Sequence, residues 1–425
     1  MFETIRNAWK VVELRKKIIF TVLLLLIYRL GSCIPTPGVD IEVVRTFMQQ
    51  GANVFGMLDI ITGGNFSNFT VLALGVTPYI TASIIVQLLT VAIPALEKLQ
   101  KEGEEGRKKM NEYTRYGAIA FAFVQALVML ISMGRNAVTG GSLGGFPMVL
   151  SYITVCSTLT AGTAFVMWLG DQITTVGIGN GISLMIFAGI VARLPIEVYR
   201  FLQNVIAGFT SPWLILPALI GILLIVAMVV FVDVSERRIP IQYAKRMVGR
   251  KMYGGQSTHL PMKLNSSGVL PLIFAVNFIS FPGMIMGFLP DSAFKTWYST
   301  YFSSQGIWYN LIFMLLIFAF TYFYSSISFN PHNIADNLKQ HGGFIPGIRP
   351  GSTTAEYLHR ISNRITFFGA LFLAFLAAVP LIGSNFLGIH GFGATSILIL
   401  VSVALETSKQ IESQLLMRHY KGFLR

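Results

Sequence analysis

The sequence predicts an all-α, polytopic membrane protein of ten transmembrane helices, and three observations carry that expectation. Of its 425 residues, 53% are hydrophobic and only 12% charged, where an ordinary soluble domain has about 25% charged. Windows apolar enough to cross ~30 Å of hydrocarbon in ~20 residues recur along the whole chain. The segments that join them alternate between strongly basic and nearly neutral, as expected when Lys and Arg are retained in the cytoplasm. No single core could hide this much apolar surface, because interiors stop growing near ~250–300 residues. A water-soluble enzyme is therefore excluded, and lipid is the expected solvent.

The windows fall near 18–36, 70–93, 114–134, 148–169, 176–192, 213–232, 268–289, 308–328, 365–383 and 391–408. The first follows Arg15-Lys16-Lys17 and imitates a signal peptide, but Arg29 interrupts it, and an uncleaved first span is expected. Before the second, Ile60 to Leu96 is 37 residues without charge, too long for one crossing. Gly63-Gly64-Asn65 with Ser67, Asn68 and Thr70 makes a poor helix, whereas Thr77 to Ala92 makes a good one. A short half-helix near 53–63 is expected, then a full span from about Leu74. Irregular backbone at membrane depth is tolerated only where protein buries it or water reaches it, so this region is the first pointer to a transport pathway. Gly177, Gly179 and Gly181 ahead of the fifth span allow close approach to a neighbour. A segment of about 34 residues (234–267) precedes the seventh span and another (329–364) precedes the ninth. Both exceed a simple connector.

With the amino terminus cytoplasmic, one side holds 26 of the 32 Lys and Arg and 14 of the 19 Asp and Glu, a net +12 against +1 opposite. Both termini are thus expected in the cytoplasm.

Catalytic chemistry is not legible. There is no Gly-Lys dipeptide, so the phosphate loop of an ATPase is absent. Gly140-Gly141-Ser142-Leu143-Gly144 fits G-x-S-x-G but sits in a glycine-rich loop outside the strand-turn-helix setting that gives the motif meaning. Cys33 and Cys156 form no C-x-x-C pair. No catalytic residue, metal site or cofactor is expected. Ionisable groups inside spans, where coupled transporters work, are nearly missing, and Asp171, Asp233 and Glu406 read as solvated boundary charges. The 234–267 segment gathers Arg237, Arg238, Lys245, Arg246, Arg250 and Lys251 within fifteen residues, either as a topological signal or as a docking surface for an acidic protein or an RNA backbone.

Long stretches resemble the SecY family, the channel subunits of bacterial protein translocation. They are TPYITASIIVQLL (77–89), KEGEEGRKKMNEYTRYG (101–117), GIGNGIS (177–183), RRIPIQYAKR (237–246), QSTHLPMKLNSSGVLPLIFA (256–275), GFIPGIRPG (343–351) and KQIESQLLMRHYKGF (409–423). The resemblance covers the chain. It implies ten helices in two inverted halves of five, 1–192 and 213–425 joined by an external hinge loop at 193–212, around a central hourglass pore closed by a plug half-helix. One departure is Ala394, where the family usually has glycine.

Carried over residue by residue, the resemblance implies a pore ring of Ile80, Ile84, Ile182, Ile186, Ile273 and Ile399. It implies a lateral gate with Thr81, Gln125 and Asn277 between spans 2 and 7. The plug falls on about 53–65, where Phe55, Met57, Leu58, Ile60 and Ile61 can pack while Asp59, Thr62 and Asn65 tolerate water. Arg349 matches the family's key cytoplasmic arginine, and it would act with the basic 237–251 cluster in engaging partners. Implied partners are the small membrane subunits SecE and SecG, the SecA motor ATPase, the ribosome, signal sequences and the lipid bilayer, in a bacterial cytoplasmic membrane. Ordinary helix packing competes for each isoleucine. A secondary transporter or small-solute channel is the competing function, and it should show charged or coordinating groups at mid-span.

Overall fold

A computed structural model of the chain describes residues 2–50, 59, 62–133, 138, 145–208, 211–243, 246–248, 251–253, 257–266, 268–286, 292–302, 306–387 and 394–422. In chain order the first helices are α1 (Phe2–Lys10), α2 (Val12–Gly31), α3 (Ile41–Gln50), α4 (Thr77–Ala92), α5 (Pro94–Lys101), α6 (Glu104–Met133), α7 (Gly145–Val176), α8 (Gly181–Ile206) and α9 (Ile215–Val234). Strands β1 (Glu236–Tyr243), β2 (Arg246–Val248), β3 (Lys251–Tyr253) and β4 (Ser257–Lys263) follow. Helices α10 (Leu270–Met286), α11 (Ala293–Tyr301), α12 (Ile307–Ser328) and α13 (Pro331–Gln340), strand β5 (Gly343–Phe344), and helices α14 (Ser352–Leu387) and α15 (Ala394–Gly422) complete the chain.

Each of the ten apolar windows falls on a helix: α2, α4, α6, α7, α8, α9, α10, α12, α14 and α15. Among the described residues, six helices are long and apolar enough on their own to cross a membrane. The other four are shorter, bent or charged at one end. Helix α4 has 16 residues and turns by 107° into α5, because Ile93 is held extended (φ −112°, ψ 112°) by the following Pro94. Helix α10 has 17 residues, α2 opens on Glu13, Arg15, Lys16 and Lys17, and α15 carries charges from Glu406 onward.

The chain forms two compact units, one from Met1–Pro212, Val276–Asn310 and Ile399–Arg425, the other from Trp213–Ala275 and Leu311–Leu398. In the first, residues 63–76 contain no regular element apart from an isolated bridge of Pro35 to Thr70. Positive φ at Gly63, Gly64 and Gly75, and at Phe69 (43°), keeps this stretch from continuing as helix. Its apolar side chains Phe66, Phe69, Ala73 and Leu74 are buried against Ala122, Ala126, Met129 and Leu130 of α6 and Val155, Cys156 and Leu159 of α7. The break foreseen after Gly63 is present, and the span that follows begins at Thr77 rather than Leu74.

Helix α8 starts where Asn180 Oδ1 accepts from the backbone N–H of Ile182 (3.1 Å) and Ser183 (3.3 Å), an N-cap. A Cβ on Gly181 would lie 1.9 Å from the Gly170 carbonyl oxygen. Glycine therefore permits α7 and α8 to meet backbone to backbone, the close approach that the glycine run indicated. The helix does not end near 192. It runs through Pro195 to Ile206, so the segment read as an external loop is largely helical, supported by the i,i+4 and i,i+3 pairs of Glu197 with Arg193 and Arg200.

In the second unit the 234–267 segment departs from an all-helical reading. Residues Arg238-Ile239-Pro240-Ile241-Gln242 alternate with period two, and β1 pairs antiparallel with β4, Ile239 opposite Leu260 and Ile241 opposite Thr258. Strand β5 joins the other edge through Gln242 opposite Phe344, giving the order β4-β1-β5. The inward face, Ile239 and Met262, packs with Ile345 and with Leu358, Ile361 and Ile365 of α14. Strands β2 and β3 pair antiparallel as a separate two-stranded sheet.

Candidate pore, gate and docking residues

Asp59 is the only Asp, Glu, Lys or Arg between Arg45 and Glu97. Expected to tolerate water, it is instead 2% exposed, and so are Thr62 (3%) and Asn65 (1%). Each has protein partners in place of water, as buried polar groups require. The Asp59 carboxylate accepts from the Ser67 backbone N–H (2.8 Å), from Ser67 Oγ, and from the Arg193 guanidinium of α8. Arg193 Nε also donates to Glu197 Oε1 at 2.9 Å. Asn65 Nδ2 donates to Tyr28 Oη (3.2 Å), and Arg29 Nη1 reaches the Gly63 carbonyl (3.5 Å). Gly63 itself lies so near α8 that a Cβ there would stand 2.5 Å from Gly189 Cα. Asp59 and residues 62–67 are thereby fastened to both α2 and α8. The other plug residues, Phe55, Met57, Leu58, Ile60 and Ile61, lie outside the described residues.

Arg193 was not singled out by sequence reasoning, which counted it as one of the charges outside the spans. Its partner is 134 positions away, a separation that no local pattern reports. The usable signal was the isolation of Asp59 in an otherwise uncharged stretch. Asp171, read as a solvated boundary charge, has a partner too, Arg115 at 2.7 Å. That pair is partly exposed and contributes at most ~1 kcal/mol.

Of the six isoleucines, Ile80 and Ile84 stand one turn apart on α4 and Ile182 and Ile186 one turn apart on α8, each pair on one helix face. Ile273 is in the first turn of α10, and Ile399 is in the second turn of α15. Five are buried and Ile182 is partly exposed.

Thr81 of α4, Gln125 of α6 and Asn277 of α10 are 2%, 5% and 4% exposed. Among the described residues neither Thr81 Oγ1 nor Gln125 Oε1 has a hydrogen-bond partner. Leaving a buried polar atom unpaired costs about 1–3 kcal/mol, so the α4 and α6 pairing holds polar groups that gain when a partner arrives.

The basic residues separate by place. Arg237 and Arg238 are exposed neighbours on β1, with Arg238 Nε bonded to Glu236 (2.8 Å). Arg246 and Lys251 belong to the facing strands β2 and β3, and Lys245 and Arg250 lie outside the described residues. Arg349 is exposed in the turn after β5. Gly347 (φ 82°) and Gly351 (φ 108°) bracket it, Ile345 beneath it is buried with α14, and Thr354 Oγ1 donates to the Arg349 carbonyl at 2.8 Å. Arg349 thus stands out on a turn whose backbone is set by its proline and glycine neighbours, Pro346, Gly347, Pro350 and Gly351. No group of three His, Cys, Asp or Glu able to hold a metal occurs among the described residues.

A family model described as SecY matches residues 70–408. The chain belongs to the SecY family. It is 47% identical over 435 residues to the protein translocase subunit SecY of Halalkalibacterium halodurans and 44% identical over 436 residues to that of Aquifex aeolicus, covering the whole of each chain in both cases. Among solved structures it resembles a protein conducting channel, with a TM-score of 0.66 and 22% identity over 93% of this chain and 91% of the other. It also resembles canine Sec61 in a ribosome-channel complex, with a TM-score of 0.60 and 19% identity over 93% and 91%. At these identities the structural matches speak for the SecY fold, and the full-length relatives speak for the family.

Proposed function

We propose that this SecY-family chain is the channel subunit of a protein translocase. It passes unfolded secretory polypeptides across the cytoplasmic membrane of a bacterium and releases hydrophobic segments sideways into the bilayer. The observation that carries the reading is the irregular stretch 63–76, a polar, non-helical backbone buried among apolar helices, which membrane proteins tolerate only where protein buries it or water reaches it. The full-length identity to translocase subunits supports it. A coupled transporter is disfavoured because its charged mid-span groups are not there in the sequence beyond Arg29, Asp59 and Arg193, of which the last two neutralise one another.

In this reading the six isoleucines close the pore as an apolar constriction. Such a ring dewets and blocks ions without any charge, and branched side chains can part around a polypeptide of almost any sequence. Two inverted halves, 1–192 and 213–425, surround it, with residues 53–65 as the plug and both termini in the cytoplasm. SecE and SecG complete the membrane complex, and SecA or a ribosome engages Arg349 and the basic residues of 237–251. Thr81, Gln125 and Asn277 form the side exit. Interhelical hydrogen bonds in membranes average only ~0.6 kcal/mol, weak enough to be exchanged for contacts with an arriving signal segment.

Reconstituted with its small partners, the chain should insert test segments above a threshold of hydrophobicity, and Asn277→Leu should shift that threshold. If no segment inserts at any hydrophobicity, the channel reading fails. An identical threshold in the variant removes Asn277 from the gate.

A further inference from the structure

We propose that Arg193 is a two-partner latch on the channel: it holds Asp59, and with it Thr62 and Asn65 of the plug, in the seated position, and stays paired with Glu197 when Asp59 leaves. The inference rests on the channel reading and assigns a positioning role to residues that the pore, gate and docking sets do not include.

The groups are graded in burial. The Asp59 side chain is 3% exposed, Glu197 12%, Arg193 22% and Arg200 65%. Asp59 and Glu197 contact different nitrogens of one guanidinium, Nη1 and Nε, so the arginine serves both at once. Its planar fork suits such divided pairing, which the point charge of lysine would not reproduce. Seated, the four charges sum to zero.

Departure of Asp59 is asymmetric in its consequences. Removing one partner of a buried ion pair normally leaves the other uncompensated, which is strongly unfavourable. Here Arg193 keeps Glu197, one turn further along the same helix, and Arg200 Nη1 lies 3.4 Å from that same carboxylate. The penalty of opening therefore falls on Asp59 and on the Ser67 N–H and hydroxyl that it releases. Glu197 lowers the barrier to release and offers no anchor to the departing segment, so it should act in the opposite direction to Asp59. A network that merely stabilised the fold would weaken at every member alike.

The test is ion conductance of the reconstituted complex in planar bilayers, at rest and after adding a signal peptide. Asp59→Asn and Arg193→Gln should each raise the resting open fraction by ~tenfold or more, as losing one partner of a buried pair predicts. The double variant should be no leakier than either single one. Glu197→Gln should reduce peptide-triggered opening. The amount of assembled complex is measured beside the conductance, so that leak is read from folded variants. The proposal is overturned if the single variants stay closed at normal complex levels, or if Glu197→Gln leaks like the other two. Ile84→Gly in the same bilayers separates the two levels. If it leaks while Asp59→Asn does not, the latch is wrong and the channel stands; if neither conducts under any condition, the channel reading falls and the latch with it.

Discussion

Replacing Arg349 with glutamate is expected to abolish motor-driven export while leaving the protein folded and in the membrane. The side chain is exposed on a turn whose shape is set without it, by Gly347 and Gly351 at positive φ, by the buried Ile345, and by the Thr354 hydroxyl on the Arg349 carbonyl. The fold thus loses no packing when the charge is reversed, and exposed substitutions of that kind usually stay within ±0.5 kcal/mol of the parent. A partner that reads the guanidinium loses far more. Breaking a hydrogen-bonded charge pair at an interface costs about 2–5 kcal/mol, a ~30-fold or larger loss of affinity, and glutamate adds repulsion. Export assayed with the motor ATPase should disappear, with normal amounts of the variant in the membrane. Normal export would reject the role.

Glycine at Ile84 or Ile399 should raise ion leak through the resting channel. Both side chains are buried, 6% and 3% exposed, so the substitution removes apolar volume from a packed place. Ile→Ala in a core costs about 2–5 kcal/mol, and glycine within a helix adds about 1 kcal/mol, so the amount of assembled complex must be measured alongside the leak. A dewetted constriction is sensitive in a way that ordinary packing is not, because once water enters, ions follow. Leak at normal complex levels is the expected result. Unchanged leak at normal complex levels assigns these isoleucines to helix packing alone.

Helices were legible because ~20 apolar residues in lipid have one economical solution, a hydrogen-bonded helix, and all ten windows fall on one. The interruption at Gly63-Gly64 was equally plain, since positive φ is what glycine permits and other residues avoid. Where helix ends were misplaced, the cause was local chemistry that hydropathy does not register. Helix α8 runs past 192 through a polar stretch held by the Glu197 pairs, and α4 begins three residues later than expected, after the turn at Gly75.

The 234–267 segment illustrates a different limit. Its period-two alternation was present in the sequence, but a ten-helix expectation gave no reason to look for strands in a loop. The partner of Asp59 was out of reach because the pairing spans 134 residues and depends on how the irregular stretch folds back against α8. Arg237 and Arg238 on β1 and Arg349 on the turn after β5, by contrast, are simply exposed.

Crosslinking of a stalled secretory chain tests the central claim most directly. With a photoreactive side chain placed separately at Ile84 and at Asn277, a secretory polypeptide arrested midway should crosslink at Ile84 along its length, and its signal segment should crosslink at Asn277. A chain that is exported at the normal rate but crosslinks at neither position would contradict a translocation path through these residues.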